Sequence, residues 1–180
     1  MSSTILKVSK TRSIAKYVLI PLLCLFLIYV IIFVFMKINI RLTYQQTGSM
    51  PEGVYLVYPS EVFVDGNDIL FEPTKEIESY MIERGYLQKD TPLLKQIVAT
   101  KNDDVCIVDK VLFINGSPKG NVHSYDTKGR PLIHAEICRQ LKAGEYFVMG
   151  VSSSYSFDSR YYGVVTQNQI IGKAKQLWSR

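Results

Sequence analysis

A serine hydroxyl and a lysine amine are the two groups of this chain whose surroundings could support covalent chemistry. Ser49 lies in TGSMPEGVY, residues 47–55, where Gly48, Pro51 and Gly53 mark a turn. A turn that contains a serine needs no function. A serine nucleophile needs a base to take its proton. Histidine is the usual base, and His123 and His134 both lie in irregular, turn-rich stretches where a surface position is equally natural. Spacing leaves a Ser-His-Asp arrangement open and offers nothing in its favour. The other solution is a lysine kept neutral by burial among apolar side chains. Lys95, in PLLKQIVA, has such neighbours, whereas Lys75, Lys89, Lys101, Lys119 and Lys128 stand in polar company. The plain alternative for Lys95 is a strand-edge lysine whose amine reaches water.

These two groups need elements to hold them, and the most distinct element comes first. Residues 17–36 read YVLIPLLCLFLIYVIIFVFM, twenty residues without a charge. That is the length one helix needs to cross about 30 Å of hydrocarbon. A core helix of a small domain is rarely apolar on every face. A cleaved signal has a shorter apolar core and a small-residue cleavage site, which is missing here. The segment therefore reads as an uncleaved signal anchor. Lys7, Lys10, Arg12 and Lys16 precede it and only Lys37 and Arg41 follow closely. That asymmetry predicts a cytoplasmic tail over 1–16, the anchor over 17–36, and an exported domain over 37–180. Ser49 falls thirteen residues beyond the span, at most about 43–47 Å of extended chain.

The net charge of +5 does not mark a nucleic-acid binder. From position 37 onward 17 basic residues face 16 acidic ones, so the excess lies in the tail. Cys24 lies within the span. Cys106 and Cys138 fall in the exported domain, where disulfides form, but sequence does not give their separation. No C-x-x-C occurs and the histidines are far apart, so no metal site is expected. No P-loop pattern occurs, and no cofactor is implied.

The exported domain reads as mainly antiparallel β with one or two short helices. Short β patterns run through 54–58, 95–99, 105–108, 111–114, 145–150 and 164–166. VCIVDKVLFING predicts a hairpin turning near Asp109–Lys110. Residues 73–85 place Ile77, Tyr80 and Met81 at helical spacing among charges, which predicts a surface helix.

Three separated motifs, in order, resemble those of the type I signal peptidases, membrane-anchored Ser/Lys proteases. TGSMP resembles the nucleophile box S-G-S-M-x-P. KQIVATKNDDV resembles the lysine box K-R-x-V-G-x-P-G-D-x-V, with Lys95, Val98, Asp103 and Val105 in register. GVSSSYSFDSRYYG resembles the last box, G-D-N-R-x-x-S-x-D-S-R-x-x-G, through Gly150, Ser156, Asp158, Ser159, Arg160 and Gly163. SMPEGVY, RGYLQKDTPLLK and DTKGRPL further resemble the TraF branch, signal peptidases of conjugative transfer that mature pilin precursors. CRQL around Cys138 also resembles that branch, which favours a Cys106–Cys138 disulfide.

The resemblance implies a signal-peptidase-like β fold and roles for matched residues. Ser49 would be the nucleophile and Lys95 the general base. Thr47, where the family uses serine, would form the oxyanion hole with the Ser49 N–H. Ser156 would orient the Lys95 amine, and Asp158 with Arg160 would form an ion pair supporting that wall. A surface pair of that kind would contribute at most about 1 kcal/mol. The implied partners are a signal-peptide-bearing precursor with small residues at −1 and −3, the inner membrane, and other components of a conjugation system. The chain departs from the boxes at Lys101-Asn102, where P-G is usual, and at Val151-Ser152-Ser153, where D-N-R is usual. Asn102 can still take a left-handed turn. Two other outcomes stay open: the same acyl-enzyme ending in pilin cyclisation, and a non-catalytic subunit of a transfer channel.

Overall fold

The structure is a computed structural model that describes residues 17–34 and 39–179. It divides into two compact units, 1–40 and 41–180. In the first unit, helix α1 (Tyr17–Val34) is long and apolar enough to cross a membrane. The basic tail over 1–16, and Met36 at the end of the expected anchor, lie outside the described residues.

The second unit is built from antiparallel strands. β1 (Arg41–Gln45), β2 (Gly53–Tyr58), β3 (Asp68–Phe71) and β4 (Leu93–Ala99) come first, with α2 (Lys75–Glu83) before β4. β5 (Asp104–Val108), β6 (Val111–Ile114), β7 (Ser117–Asn121) and β8 (Cys138–Gln140) follow. β9 (Glu145–Met149), α3 (Ser159–Tyr162), β10 (Val165–Thr166) and β11 (Ile170–Ser179) complete it. Seven strands form one sheet in the order β1-β2-β11-β3-β4-β9-β10, and four form a second in the order β7-β6-β5-β8.

Local chemistry explains the elements that matter for the site. The β5–β6 hairpin turns through Asp109 and Lys110, both at positive φ, where the sequence predicts it. Asn115-Gly116 turns β6 into β7 in the same way. Helix α2 starts at Thr74, whose hydroxyl accepts from the Ile77 N–H, and Glu76 and Glu78 occupy its positive end. It stops at Gly85, at φ 70°, with Tyr86 N–H bonded back to the Met81 carbonyl. Met81 then packs into the main core with Phe71, Leu93, Ile97, Phe157 and Tyr161.

The short or irregular strands carry weak sequence signals. β7 reads SPKGN and is mostly exposed; its partner and the Asn-Gly turn make it a strand. β11 carries a register shift and alternates poorly, yet it bridges β2 and β3 at the centre of the large sheet. Cys106 and Cys138 face each other across β5 and β8 and are joined by a disulfide.

Candidate active site

Ser49 sits in the connection between β1 and β2. Gln45 pairs with Gly53 across this ladder, so residues 46–52 form the loop that presents the serine. Three contacts pin the loop. The Met50 side chain is buried with Leu70 and Leu94, and the Ser49 carbonyl accepts from the Ser152 N–H at 3.1 Å. The Tyr55 hydroxyl donates to the Pro51 carbonyl at 2.9 Å. Ser49 is half-buried, and its Oγ lies 3.4 Å from Thr47 Oγ1.

Lys95 is placed by β4. The two-residue period puts Leu93, Lys95 and Ile97 on one face, and both hydrophobic members belong to the main core. Across the ladder Lys95 pairs with fully buried Ile69. The lysine is only 4% exposed, so it does not reach water as a strand-edge lysine would. Its Nζ donates to Ser156 Oγ at 3.1 Å. Burial lowers its pKa from 10.5 to about 8, against the attraction of Asp158 and with added repulsion from Arg160.

Ser156 belongs to the wall between β9 and α3. Asp158 caps α3 and grips Arg160 through two bonds of 2.8 Å, to Nε and Nη2. Both side chains are buried, unlike the surface pair that the sequence alone allows. Asp158 Oδ2 also accepts from the Gly150 N–H at 3.0 Å, and Arg160 Nη2 donates to the Ser156 carbonyl at 3.2 Å. The ion pair thus ties both ends of the 150–156 loop together. Arg160 Nη1 donates to the Asn121 carbonyl at 2.9 Å, joining the wall to β7.

Gly150 shows why this wall needs a glycine. A Cβ there would stand 2.1 Å from Ser156 Oγ and 2.7 Å from the Ser49 carbonyl oxygen. Gly150 is therefore where the serine loop and the lysine's partner meet. The Val151-Ser152-Ser153 departure does not open this contact, because the Ser152 N–H closes on the serine loop. Asn102 adopts φ 72°, the left-handed turn its side chain tolerates.

Thr47, Ser49, Lys95 and Ser156 line one cleft of about 810 Å³, together with Tyr86, Phe157 and Tyr161. Asp158 and Arg160 stand behind it. Neither His123 nor His134 lines it, and His123 stacks on Tyr155 with ring centres 4.3 Å apart. Among the described residues no three His, Cys, Asp or Glu side chains converge as metal ligands.

One contributor escapes motif reasoning. Gln45 Nε2 donates to the Thr47 carbonyl at 2.8 Å and to Thr47 Oγ1 at 2.6 Å. Its place at the end of β1, two residues before Thr47, is visible only once the strand is known.

The chain is similar in sequence to known proteins. A family profile described as signal peptidase, peptidase S26, matches residues 12–179. A plasmid transfer protein TraF from Escherichia coli is 31% identical over 134 residues, covering 69% of this chain and 76% of that protein. A conjugal transfer protein TraF from Agrobacterium fabrum is 26% identical over 143 residues, covering 74% and 80% respectively. The crystal structure of a signal peptidase I from Enterococcus faecalis aligns at a TM-score of 0.39 and 21% identity, over 63% of this chain and 97% of that one. The profile match along nearly the whole chain, with TraF relatives at this identity, places the chain in the signal peptidase (peptidase S26) family, on its TraF-like branch.

Proposed function

We propose that this chain is a membrane-anchored serine endopeptidase that removes signal peptides from exported precursors, with Ser49 as nucleophile and Lys95 as general base. The observation that carries this reading is Lys95, buried in the same cleft as Ser49 with a pKa lowered to about 8 by burial. At pH 7 a lysine near that value is neutral in about a tenth of molecules, against fewer than about one in a thousand for an ordinary lysine, and the neutral form can accept a proton. The names of the TraF relatives, plasmid and conjugal transfer proteins, support a precursor belonging to a conjugative transfer system, and the motif resemblance to the TraF branch makes that precursor its pilin. The same names support contact with other components of that system. The asymmetry of basic residues around α1 supports a cytoplasmic N-terminus and an exported catalytic unit at the inner membrane.

The reaction runs as acyl transfer. Neutral Lys95 Nζ takes the Ser49 Oγ proton as Oγ bonds to the scissile carbonyl carbon. The negative charge passes to the carbonyl oxygen, where the Thr47 hydroxyl and the Ser49 N–H would donate to it. The lysine then returns its proton to the amine as the C–N bond breaks, leaving an ester on Ser49. Water, activated by Lys95, attacks the ester and regenerates the serine. Ser156 accepts a hydrogen bond from Nζ and holds the amine in position throughout.

The test is mass spectrometry of a pilin precursor incubated with detergent-purified full-length protein, wild type beside Ser49→Ala and Lys95→Ala. The expected result is cleavage by wild type alone. Equal cleavage by all three proteins would overturn the dyad. A scaffold role requires that both substitutions leave transfer unaffected in cells. Product mass identifies the final nucleophile, because ring closure gives a product one water lighter than the linear chain.

A further inference from the structure

The Thr47 hydroxyl carries a contact that its proposed role does not require and that determines what it can do. Gln45 reaches it from the last position of β1. The same nitrogen, Nε2, lies 2.8 Å from the Thr47 carbonyl oxygen and 2.6 Å from Thr47 Oγ1. A carbonyl oxygen can only accept, so the atom facing it must be the amide N–H₂. Oγ1, meeting the same N–H₂, is therefore an acceptor in that bond. Its own hydrogen cannot point at Gln45 and must be directed elsewhere.

The neighbour on another side of Oγ1 is Ser49 Oγ, at 3.4 Å. The hydroxyl hydrogen is thus left to the Ser49 side, where it meets Ser49 Oγ or, with substrate bound, the carbonyl oxygen that becomes negative as Oγ attacks. Thr47 is exposed, so without a partner its hydroxyl would turn and bond to water. Gln45 is itself half-buried, and the paired ladder of β1 and β2 fixes its backbone. A rigid strand therefore orients a donor on an otherwise open loop, the kind of preorganisation that an oxyanion site needs.

We propose that Gln45 is a positioning residue that keeps the Thr47 hydroxyl a donor toward the reacting carbonyl oxygen. The proposal rests on the Ser49/Lys95 reading above. Gln45 acts through Thr47 and touches no reacting atom.

The test measures kcat and KM for cleavage of the precursor by detergent-purified full-length protein. The variants are Gln45→Leu, Gln45→Glu, Thr47→Val and Gln45→Leu/Thr47→Val, with Ser49→Ala and Lys95→Ala as controls. Loss of the amide in Gln45→Leu is expected to lower kcat about 5-fold with KM unchanged, the size of one net hydrogen bond. Gln45→Glu keeps the shape but presents acceptor oxygens, so the Thr47 hydrogen turns toward it. Its kcat is expected to fall at least as far. Thr47→Val should lower kcat about 100-fold, as removal of an oxyanion donor does. In that background Gln45→Leu should add nothing, because its target is gone.

Full kcat in both Gln45 variants overturns the proposal, as does an additive loss in the double variant. If Ser49→Ala and Lys95→Ala cleave like wild type, the dyad itself falls and the proposal with it. If only those two controls are inactive and Gln45 is silent, the dyad stands and Gln45 alone is rejected.

Discussion

Lys95 is a titratable group inside an apolar wall, and two pH dependences follow from that. In its proposed role of general base it must be neutral, and the neutral fraction grows as pH rises through about 8. The kcat/KM of precursor cleavage should therefore rise with pH and level off above an apparent pKa of about 8. Folding stability follows the same shift. Between about 8 and 10.5 the unfolded chain binds the proton that the folded chain has lost. Stability therefore rises with pH across that window, and the cost of burying the amine is fully present below about 8. Lys95→Met should be more stable than wild type at pH 7, with the difference shrinking toward pH 10, as read from urea midpoints. Gly150 gives a second prediction at this scale. The methyl of Gly150→Ala would collide with Ser156 Oγ and the Ser49 carbonyl, both needed in place. The variant should fold, by circular dichroism, and lose about 100-fold in kcat/KM, the usual cost of a displacement near 1 Å.

Among the elements, strand β8 shows how stability and chemistry separate. It is three residues long, it is exposed, and its disulfide to β5 closes a sequence separation of 32. A loop of that size is worth about 3–4 kcal/mol in the chain-entropy account. Cys106→Ser/Cys138→Ser should lose about that much stability in urea. Neither cysteine lines the cleft, so kcat/KM at low temperature should stay close to wild type. Short runs such as VCIV and VLFI were legible as strands, and the 73–85 pattern as the helix α2. Strands β1, β3, β7, β8 and β11 were not. A strand that is exposed, very short or interrupted by a bulge has no two-residue signal, and only its paired neighbour makes it a strand.

For the whole molecule, the proposed function assigns the membrane to the first compact unit and the chemistry to the second. The second unit, 41–180, contains the sheets, the disulfide and every residue lining the cleft. Expressed alone in an oxidising compartment, it should fold and cleave a soluble peptide with a kcat/KM near that of the full chain. On a precursor embedded in vesicles it should be slower by about 100-fold. As a membrane anchor, α1 would confine enzyme and substrate to one surface and raise their effective concentration. Equal rates for fragment and full chain on vesicle-bound precursor would show that α1 contributes nothing to encounter.

Several features were decided by sequence alone, because their signals are local. A charge-free segment of membrane-spanning length needs no tertiary context to be read, nor does a lysine between Leu94 and Gln96 in a run of apolar residues. Motif spacing carried the family, which the profile match over 12–179 then showed. Tertiary structure alone decided how the parts meet. Lys95 lies on β4 and Ser156 lies 61 positions later, yet they share a hydrogen bond because β4 pairs with β9, which leads into the Ser156 wall. The Asp158–Arg160 pair reads as an ordinary surface pair until the fold closes around it and makes it fully buried. Gln45 carries no motif at all; its meaning depends on which atoms of Thr47 its amide faces, and only the folded chain brings them together.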